Sequence, residues 1–277
     1  MGLFPVDYLD RKPLGNTGES ISAIGIGTYG IRDEAKAIEA LKHAVEVGLD
    51  LIDTAEMYGS GRAEELVGMV VRDMGRSRVF IVTKLYPHRF RNPEDSIRAL
   101  KASLKRLGVN CVDLVLIHWP EEATPIERQV RSLEALVDSG LTRYMGVSNF
   151  TTEQLKKALI STTKHDIVVN QVKYSVVDRG VEGELLPFCI ANKVTLMAYT
   201  PLERGRVADM RPLKELAFKY SKTPIQIALN FLIARPYVVA IPKTERRERV
   251  EEFKGALGWR LSYPDIQILE RLNQSPQ

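Results

Sequence analysis

Asp53, Tyr58, Lys84 and His118 have the types and the spacing of an acid–base site. Asp53 closes a short apolar run, LDLID, and Tyr58 follows five residues later, just ahead of Gly59 and Gly61. Lys84 closes the run VFIVTK, and His118 closes DLVLIH. The interval from Asp53 to Lys84 is 31 residues and that from Lys84 to His118 is 34. Each interval is about one strand–helix repeat of a parallel barrel, so consecutive strands would bring these three to one rim, with Tyr58 on the intervening loop. An opposed Asp and Lys satisfy each other's charge. A cationic lysine beside a phenol is expected to lower the phenol's pKa and make Tyr58 a usable proton donor. Each residue also has a plainer reading. A strand-end aspartate caps the next helix, a rim lysine forms an ion pair, and a strand-end histidine hydrogen-bonds in the core. Their arrival at one level is what favours chemistry.

The elements that must position them alternate along the chain. Residues 7–20 carry turn chemistry at Leu14-Gly15-Asn16-Thr17-Gly18 and read as a small hairpin. Strand-like runs follow at 21–27, 49–53, 79–84, 112–118, 144–147, 167–171, 194–199 and 237–241. Amphipathic helices are expected at 33–47, from about 63, and at 93–107, 125–139, 151–159, 182–192, 212–234 and 245–256. Eight strand–helix units without a composition break predict an α/β fold, a closed (β/α)8 TIM barrel forming one domain over residues 1–277. The N-terminal β-hairpin is available to plug the barrel, and a short C-terminal helical tail runs from Pro264. A doubly wound open sheet competes, but needs fewer strands or an inserted domain. Residues 25–30, GIGTYG, formally match the dinucleotide fingerprint GxGxxG, with Asp50 and Asp53 at the end of the next strand. The preceding hairpin, the delay of the helix by Arg32-Asp33, and the unbroken count of eight units weigh against that fold.

Composition narrows the class. The chain has 277 residues, 44% hydrophobic and 27% charged, enough apolar sequence for a substantial core and no signature of disorder. Net charge is only +4, with one basic cluster near Lys243 to Arg249, so no nucleic-acid partner is expected. Cys111 and Cys189 lie in apolar runs without metal-ligand spacing and read as reduced, buried small hydrophobes; no metal is expected. No apolar run approaches a membrane span, the N-terminal segment lacks the regions of a signal peptide, and Met1-Gly2 lacks the downstream Ser or Thr of a myristoylation signal. The expectation is a soluble, cytoplasmic monomer without a membrane partner.

The stretches GLDLIDTAEMYGSG, VFIVTKLY, VDLVLIHWP, GVSNF, NQVKY and IPKTERRER occur in an order that resembles the aldo-keto reductase superfamily across nearly the whole chain. The resemblance implies a barrel that uses NAD(P)H to interconvert aldehydes or ketones and alcohols. It places a catalytic tetrad on Asp53, Tyr58, Lys84 and His118, and the histidine marks a carbonyl rather than a carbon–carbon double-bond reductase. Hydride would pass from the dihydronicotinamide to the carbonyl carbon, Tyr58 would protonate the oxygen, and His118 would orient it. Ser148, Asn149 and Gln171 would bind the nicotinamide carboxamide, and Tyr199 would stack on its ring. Thr28, Asp53, Thr200 and Leu202 would border the cofactor. Lys243, Thr244 and Arg249 would contact an adenosine 2′-phosphate, which favours NADPH over NADH; Glu252 would lie near the adenine, although Phe253 stands where the family often has Asn. Plainer readings stand beside these: Ser148-Asn149 as a helix cap before Thr151, and the basic run as a solvated face.

Substrate selectivity would reside in the strand-to-helix loops. Tyr29, Tyr86 and Trp119, with Tyr174 as a further candidate, are expected to line an open aromatic pocket for small or aromatic aldehydes and dicarbonyls, with diketo-sugar acids a narrower possibility. A cofactor-binding regulatory subunit is the alternative from another class, and a phosphosugar isomerase barrel lacks its expected glutamate base and late glycine-rich loops.

Overall fold

The structure, a computed structural model, describes residues 4–272. The chain opens with an antiparallel hairpin, β1 (Arg11–Pro13) and β2 (Ser20–Ser22). Then β3 (Ile26–Gly27), β4 (Leu51–Asp53), β5 (Phe80–Leu85), β6 (Val112–Ile117), β7 (Thr142–Ser148), β8 (Ile167–Lys173), β9 (Thr195–Tyr199) and β10 (Val238–Ile241) form one parallel sheet in chain order. The helices are α1 (Glu34–Glu46), α2 (Arg62–Met74), α3 (Pro93–Leu107), α4 (Ile126–Asp138), α5 (Thr152–Ser161), α6 (Leu185–Ala191), α7 (Arg211–Tyr220), α8 (Pro224–Ile233), α9 (Arg247–Lys254) and α10 (Tyr263–Glu270). The first and last strands meet through parallel bridges, Ile24 with Ala240 and Gly27 with Lys243, and through Gly25 N–H donating to Ala240 O at 2.9 Å. The sheet is therefore the (β/α)8 barrel predicted from the pattern.

Strands buried on both faces need continuous apolar runs, and β6 is buried at every position. One layer of core lies between strands and helices. The other fills the barrel, where Leu51, Val82, Leu114, Val169 and Met197 meet Leu14 and Ile21 of the hairpin. The hairpin thus plugs the N-terminal end. Local signals set the helix limits: Asn92 accepts from Asp95 N–H and Pro93 opens α3, which ends at left-handed Gly108. Two of the three GIGTYG glycines, Gly25 and Gly27, sit where strands approach closely, whereas Gly30 turns left-handed at φ 68° with open space around it. A Cβ on Gly25 would lie 2.2 Å from Leu51 Cδ2, and one on Gly27 3.3 Å from Ile241 O. Close strand approach, not pyrophosphate binding, accounts for these two.

Four expectations change. The strand expected over 21–27 divides, with Ser20–Ser22 pairing in the hairpin and only Ile26–Gly27 joining the barrel sheet. The stretch 212–234 is two helices, because Ser221 turns left-handed (φ 52°) after α7 and Thr223 caps α8 with a Thr223–Gln226 capping box. The helix expected over 182–192 is shorter, with a 3₁₀ turn at Gly180–Glu182 before α6. Cys189 is buried, but Cys111 is only half-buried. The tail helix α10 is present; the reading of the tail beyond residue 272 and that of Met1-Gly2 lie outside the described residues. Among the described residues, no helix is long and apolar enough to cross a membrane.

Candidate active site

The C-terminal ends of β4, β5 and β6 bring the acid–base residues together. Asp53 is the last residue of β4, Lys84 lies near the end of β5, and His118 follows β6 with its N–H donating to Leu85 O at 3.1 Å. Lys84 is fully buried. Its Nζ donates to Asp53 Oδ2 at 2.7 Å, to Thr54 O at 2.9 Å and to Tyr58 OH at 3.1 Å. The ammonium thus has an acceptor for each of its three protons, two from the loop after β4 and one on the strand itself. The His118 ring packs edge-on to Tyr58, with centroids 5.7 Å apart. Tyr58 is carried by a tight turn in which Gly59, Ser60 and Gly61 all have positive φ (57°, 54° and 94°), a conformation that favours glycine, the residue at two of the three positions.

Burial and charge set the protonation states. Burial opposes the charge on Lys84, but the Asp53 carboxylate and then Tyr58 outweigh it, so its pKa is raised. Burial, helped by Lys84's positive charge, holds the His118 imidazole down to about 3, so the ring is neutral in neutral solution. Tyr58 departs from expectation. Burial raises its phenol, and Lys84 pulls it only part of the way back, so the net shift is upward rather than downward. Sequence shows the neighbouring cation but not the loss of water around the hydroxyl.

The polar residues at the ends of β7, β8 and β9 join the same network. Gln171 Nε2 donates to Asp53 Oδ1 at 2.7 Å, so both carboxylate oxygens of Asp53 are engaged, one by Gln171 and one by Lys84. Ser148 pairs in register with Gln171 and donates its hydroxyl to Gln171 O at 2.8 Å. Asn149, at φ 60°, donates to His118 O at 3.0 Å and accepts from Tyr199 OH at 2.9 Å. Neither Ser148 nor Asn149 caps α5; Thr151 does, through a capping box with Gln154. Thr28 is buried and donates through N–H and hydroxyl to Asp53 O, both at 3.0 Å. Thr200 has φ 53° and Leu202 is half-buried, both on the loop after β9.

Two cations of the basic segment after β10 are already paired within the chain. Lys243 Nζ bonds the Glu245 carboxylate and Arg249 bonds Glu252. Thr244 is buried, and its hydroxyl accepts from Arg246 N–H at 3.1 Å, turning the chain into α9, which begins at Arg247. Glu245 is a residue that the sequence reading passed over. Its two oxygens accept Arg32 N–H at 2.9 Å and Asp33 N–H at 3.0 Å, tying the first loop of the barrel to the last. Thr54 and Glu56 were also passed over. Glu56, nearly buried, accepts Tyr86 N–H at 2.7 Å. A carboxylate inside a basic run and another inside the Tyr58 motif were the available signals.

The aromatic side chains form one continuous wall. Tyr29 packs edge-on to Tyr58 at 5.2 Å, His118 lies 4.8 Å from Trp119, and Trp119 lies 6.1 Å from Tyr86. Tyr29 is 64% and Trp119 38% exposed, so this wall faces an open mouth. Tyr174 does not belong to it. It is fully buried, with its hydroxyl on Glu182 Oε1 at 2.5 Å, and serves the core. Among the described residues, no cluster of His, Cys, Asp and Glu is arranged to hold a metal ion.

Comparison with known proteins gives three kinds of match. The family model described as "Aldo/keto reductase family" matches residues 23–274. A methylglyoxal reductase, YeaE, from Escherichia coli (strain K12) is 33% identical over 279 residues, covering 97% of both chains. Among solved structures, a thermostable aldo-keto reductase, Tm1743, in complex with the inhibitor epalrestat superposes with a TM-score of 0.90 at 41% identity, covering 95% of this chain and 100% of its own. An aldo/keto reductase from Klebsiella pneumoniae in complex with NADP and acetate gives a TM-score of 0.89 at 34% identity, covering 97% of each chain.

Proposed function

The chain belongs to the aldo/keto reductase family, and from that premise we propose that it is an NADPH-dependent reductase of small aldehydes, ketones and dicarbonyls with Tyr58 as its proton donor. The observation that carries this reading is the placement of Tyr58 OH 3.1 Å from a buried Lys84 ammonium that Asp53 holds at 2.7 Å, beside the His118 ring and under an open aromatic wall.

The donor set fits the nucleotide. Asn149 and Gln171 present primary amides beside the Ser148 hydroxyl, groups that match the donor and acceptor of a carboxamide. Tyr199 offers a ring fixed by its hydroxyl on Asn149. Lys243, Thr244 and Arg249 would hold the 2′-phosphate, with Glu245 and Glu252 released from the cations as the dianion arrives. Thr28, Thr200 and Leu202 would border the cofactor, and Glu252 would lie near the adenine. When bound, NADPH supplies the hydride.

The chain's own residues handle the proton. At neutral pH the buried Tyr58 phenol stays protonated, as a donor must. As negative charge develops on the carbonyl oxygen, Tyr58 gives up its proton, and Lys84 at 3.1 Å stabilises the phenolate left behind. Asp53 fixes Lys84, and Gln171 fixes Asp53, so the ammonium needs no reorganisation at that moment. His118 Nδ1 is buried without a partner among the described residues. A buried donor left unpaired costs more than an unpaired acceptor, which supports placing the single ring proton on Nε2, where it would be a second donor to the same oxygen. A neutral imidazole donates a hydrogen bond without adding a competing charge beside Lys84.

The open mouth and the methylglyoxal reductase relative support small carbonyl and dicarbonyl substrates. The direct test is Tyr58→Phe. Turnover of methylglyoxal and of an aromatic aldehyde should fall about a thousandfold, while NADPH binding, read by quenching of protein fluorescence, is retained. Near-native reduction rates in that variant would show the assignment to be wrong.

A further inference from the structure

Behind the Tyr58–Lys84 pair lies a buried carboxylate, paired with a half-buried arginine, that the mechanism has not used. Glu64, in the first turn of α2, has no exposed surface. Its Oε1 accepts the Thr83 hydroxyl at 2.6 Å, and its Oε2 accepts Arg106 Nε at 2.6 Å. Arg106 comes from the last turn of α3, and its Nη2 also donates to Ser103 Oγ at 2.9 Å. Thr83 precedes Lys84 on β5, and successive strand residues point to opposite faces. Thr83 therefore points toward the helices while Lys84 points toward the site.

The same guanidinium abuts the turn that carries Tyr58. Gly61 ends that turn at φ 94°, and a Cβ built on it would lie 2.6 Å from Arg106 Cδ and 2.7 Å from its Nε. The turn is closed by its own backbone hydrogen bonds, Ser60 N–H to Met57 O at 3.2 Å and Arg62 N–H to Gly59 O and Tyr58 O, so it shifts as one piece and takes its position from what it rests on. One end of the unit therefore grips the strand of Lys84 and the other supports the turn of Tyr58. An apolar layer of helix and strand side chains would pack these elements without specifying the hydroxyl-to-ammonium distance. A bidentate carboxylate between a strand hydroxyl and a helix guanidinium specifies it.

We propose that Glu64, Arg106 and Thr83 form a positioning unit that sets the separation of Tyr58 OH from Lys84 Nζ, and hence the rate of proton donation. This rests on the reading of Tyr58 as proton donor. The groups that face Tyr58 are Lys84 from β5, Asp53 from β4, Tyr29 from the loop after β3 and His118 from the end of β6. Of these, Lys84 is the one whose distance the unit controls. Loosening the unit weakens the cation's pull on the phenol and leaves the burial unchanged.

The test is Arg106→Ala with Arg106→Lys as the conservative variant. In Arg106→Ala, kcat should fall about 10- to 100-fold, as a displacement near 1 Å at the reacting groups does. KM and the fluorescence-derived dissociation constant for NADPH should stay within about twofold. The alkaline limb of the pH–kcat profile should move to higher pH, and Arg106→Lys should recover part of both changes. Thr83→Val, which keeps volume and removes one bond, should lower kcat about three- to tenfold. Circular dichroism checks the fold. If Arg106→Ala does not fold, Glu64→Leu combined with Arg106→Met leaves no buried charge unpaired and carries the same expectation. A folded variant of either kind with kcat and alkaline limb unchanged overturns the proposal. Tyr58→Phe separates the two readings: if it is inactive while the Arg106 variants are unaffected, only the positioning unit fails.

Discussion

Lys84 and Lys12 are both fully withdrawn from solvent, at opposite ends of the barrel, and the contrast between them separates burial from chemistry. Lys12, in β1 of the hairpin, donates to Asp7 Oδ2 at 2.7 Å and to Ile233 O, the last residue of α8, at 2.6 Å. Its positive charge meets the negative end of that helix and closes the floor. Even so, burial lowers it to about 8; Asp7 resists that shift, and Arg260 adds to it. Lys84 has as little contact with water, yet its pKa is raised, because Asp53 and Tyr58 outweigh burial. The floor lysine is a latch and the mouth lysine is a tuned cation. What differs is the company of ionisable and aromatic groups, not exposure.

The sharpest way to break this comparison is to replace each lysine by methionine. Lys84→Met should lower turnover of methylglyoxal by about a thousandfold, since it removes the stabiliser of the phenolate and leaves Asp53 buried without its cation. Lys12→Met should leave steady-state turnover within about twofold, because it lies at the far end of the barrel. Equal losses in the two variants would erase the distinction. A second test stays at the mouth and asks whether its outer cations bind an anion. Lys243→Met with Arg249→Met should weaken NADPH about 10- to 100-fold and NADH far less, by titration of fluorescence. Equal weakening would exclude a 2′-phosphate role.

Proton linkage gives two smaller effects. His118 is held near 3 in the folded protein against an ordinary value of 6.5, so between those values the unfolded chain binds more protons. Stability should therefore fall as pH drops from about 6.5 toward 3. Thermal unfolding across that range should show a shallower acid slope in His118→Gln. Turnover should show no acid limb near pH 6.5 from this ring. At the floor, Lys12 titrates near 8 when folded and near 10.5 when unfolded, so the unfolded chain again holds the extra proton in that window. The wild-type advantage over Lys12→Met in melting temperature should grow with pH from about 8 to 10.5. Lys84, raised when folded, acts in the opposite direction: its contribution is complete below the ordinary lysine value and is lost at higher pH. A falling difference for Lys12 would put the two lysines in the same class.

Much of the mouth was legible without coordinates; at the floor the plugging hairpin was legible, but its buried lysine was not. Asp53, Lys84 and His118 follow apolar runs at one-repeat intervals, and a strand buried on both faces announces its own end when a charge appears. Periodicity also exposes α3, with Asn92-Pro93 before it and Gly108 behind it. Lys12 sits in a short polar hairpin whose pattern carries no sign of burial, since the wall that covers it is the end of α8, 221 residues later in the chain.

The amino-acid order by itself determined the number of strand–helix units, the rim on which the reactive types stand, and the family. These depend on period and on local turn chemistry, which neighbouring residues encode. Only the folded chain decided that Gln171 holds Asp53, that Glu245 ties the first loop to Lys243, that Tyr174 belongs to the core, and that the Tyr58 phenol is shifted up. Each of those depends on which distant segments exclude water from a group and which charges they leave beside it. Hydrogen bonds and pKa shifts are sums over three-dimensional neighbours, and no one-dimensional pattern contains that sum.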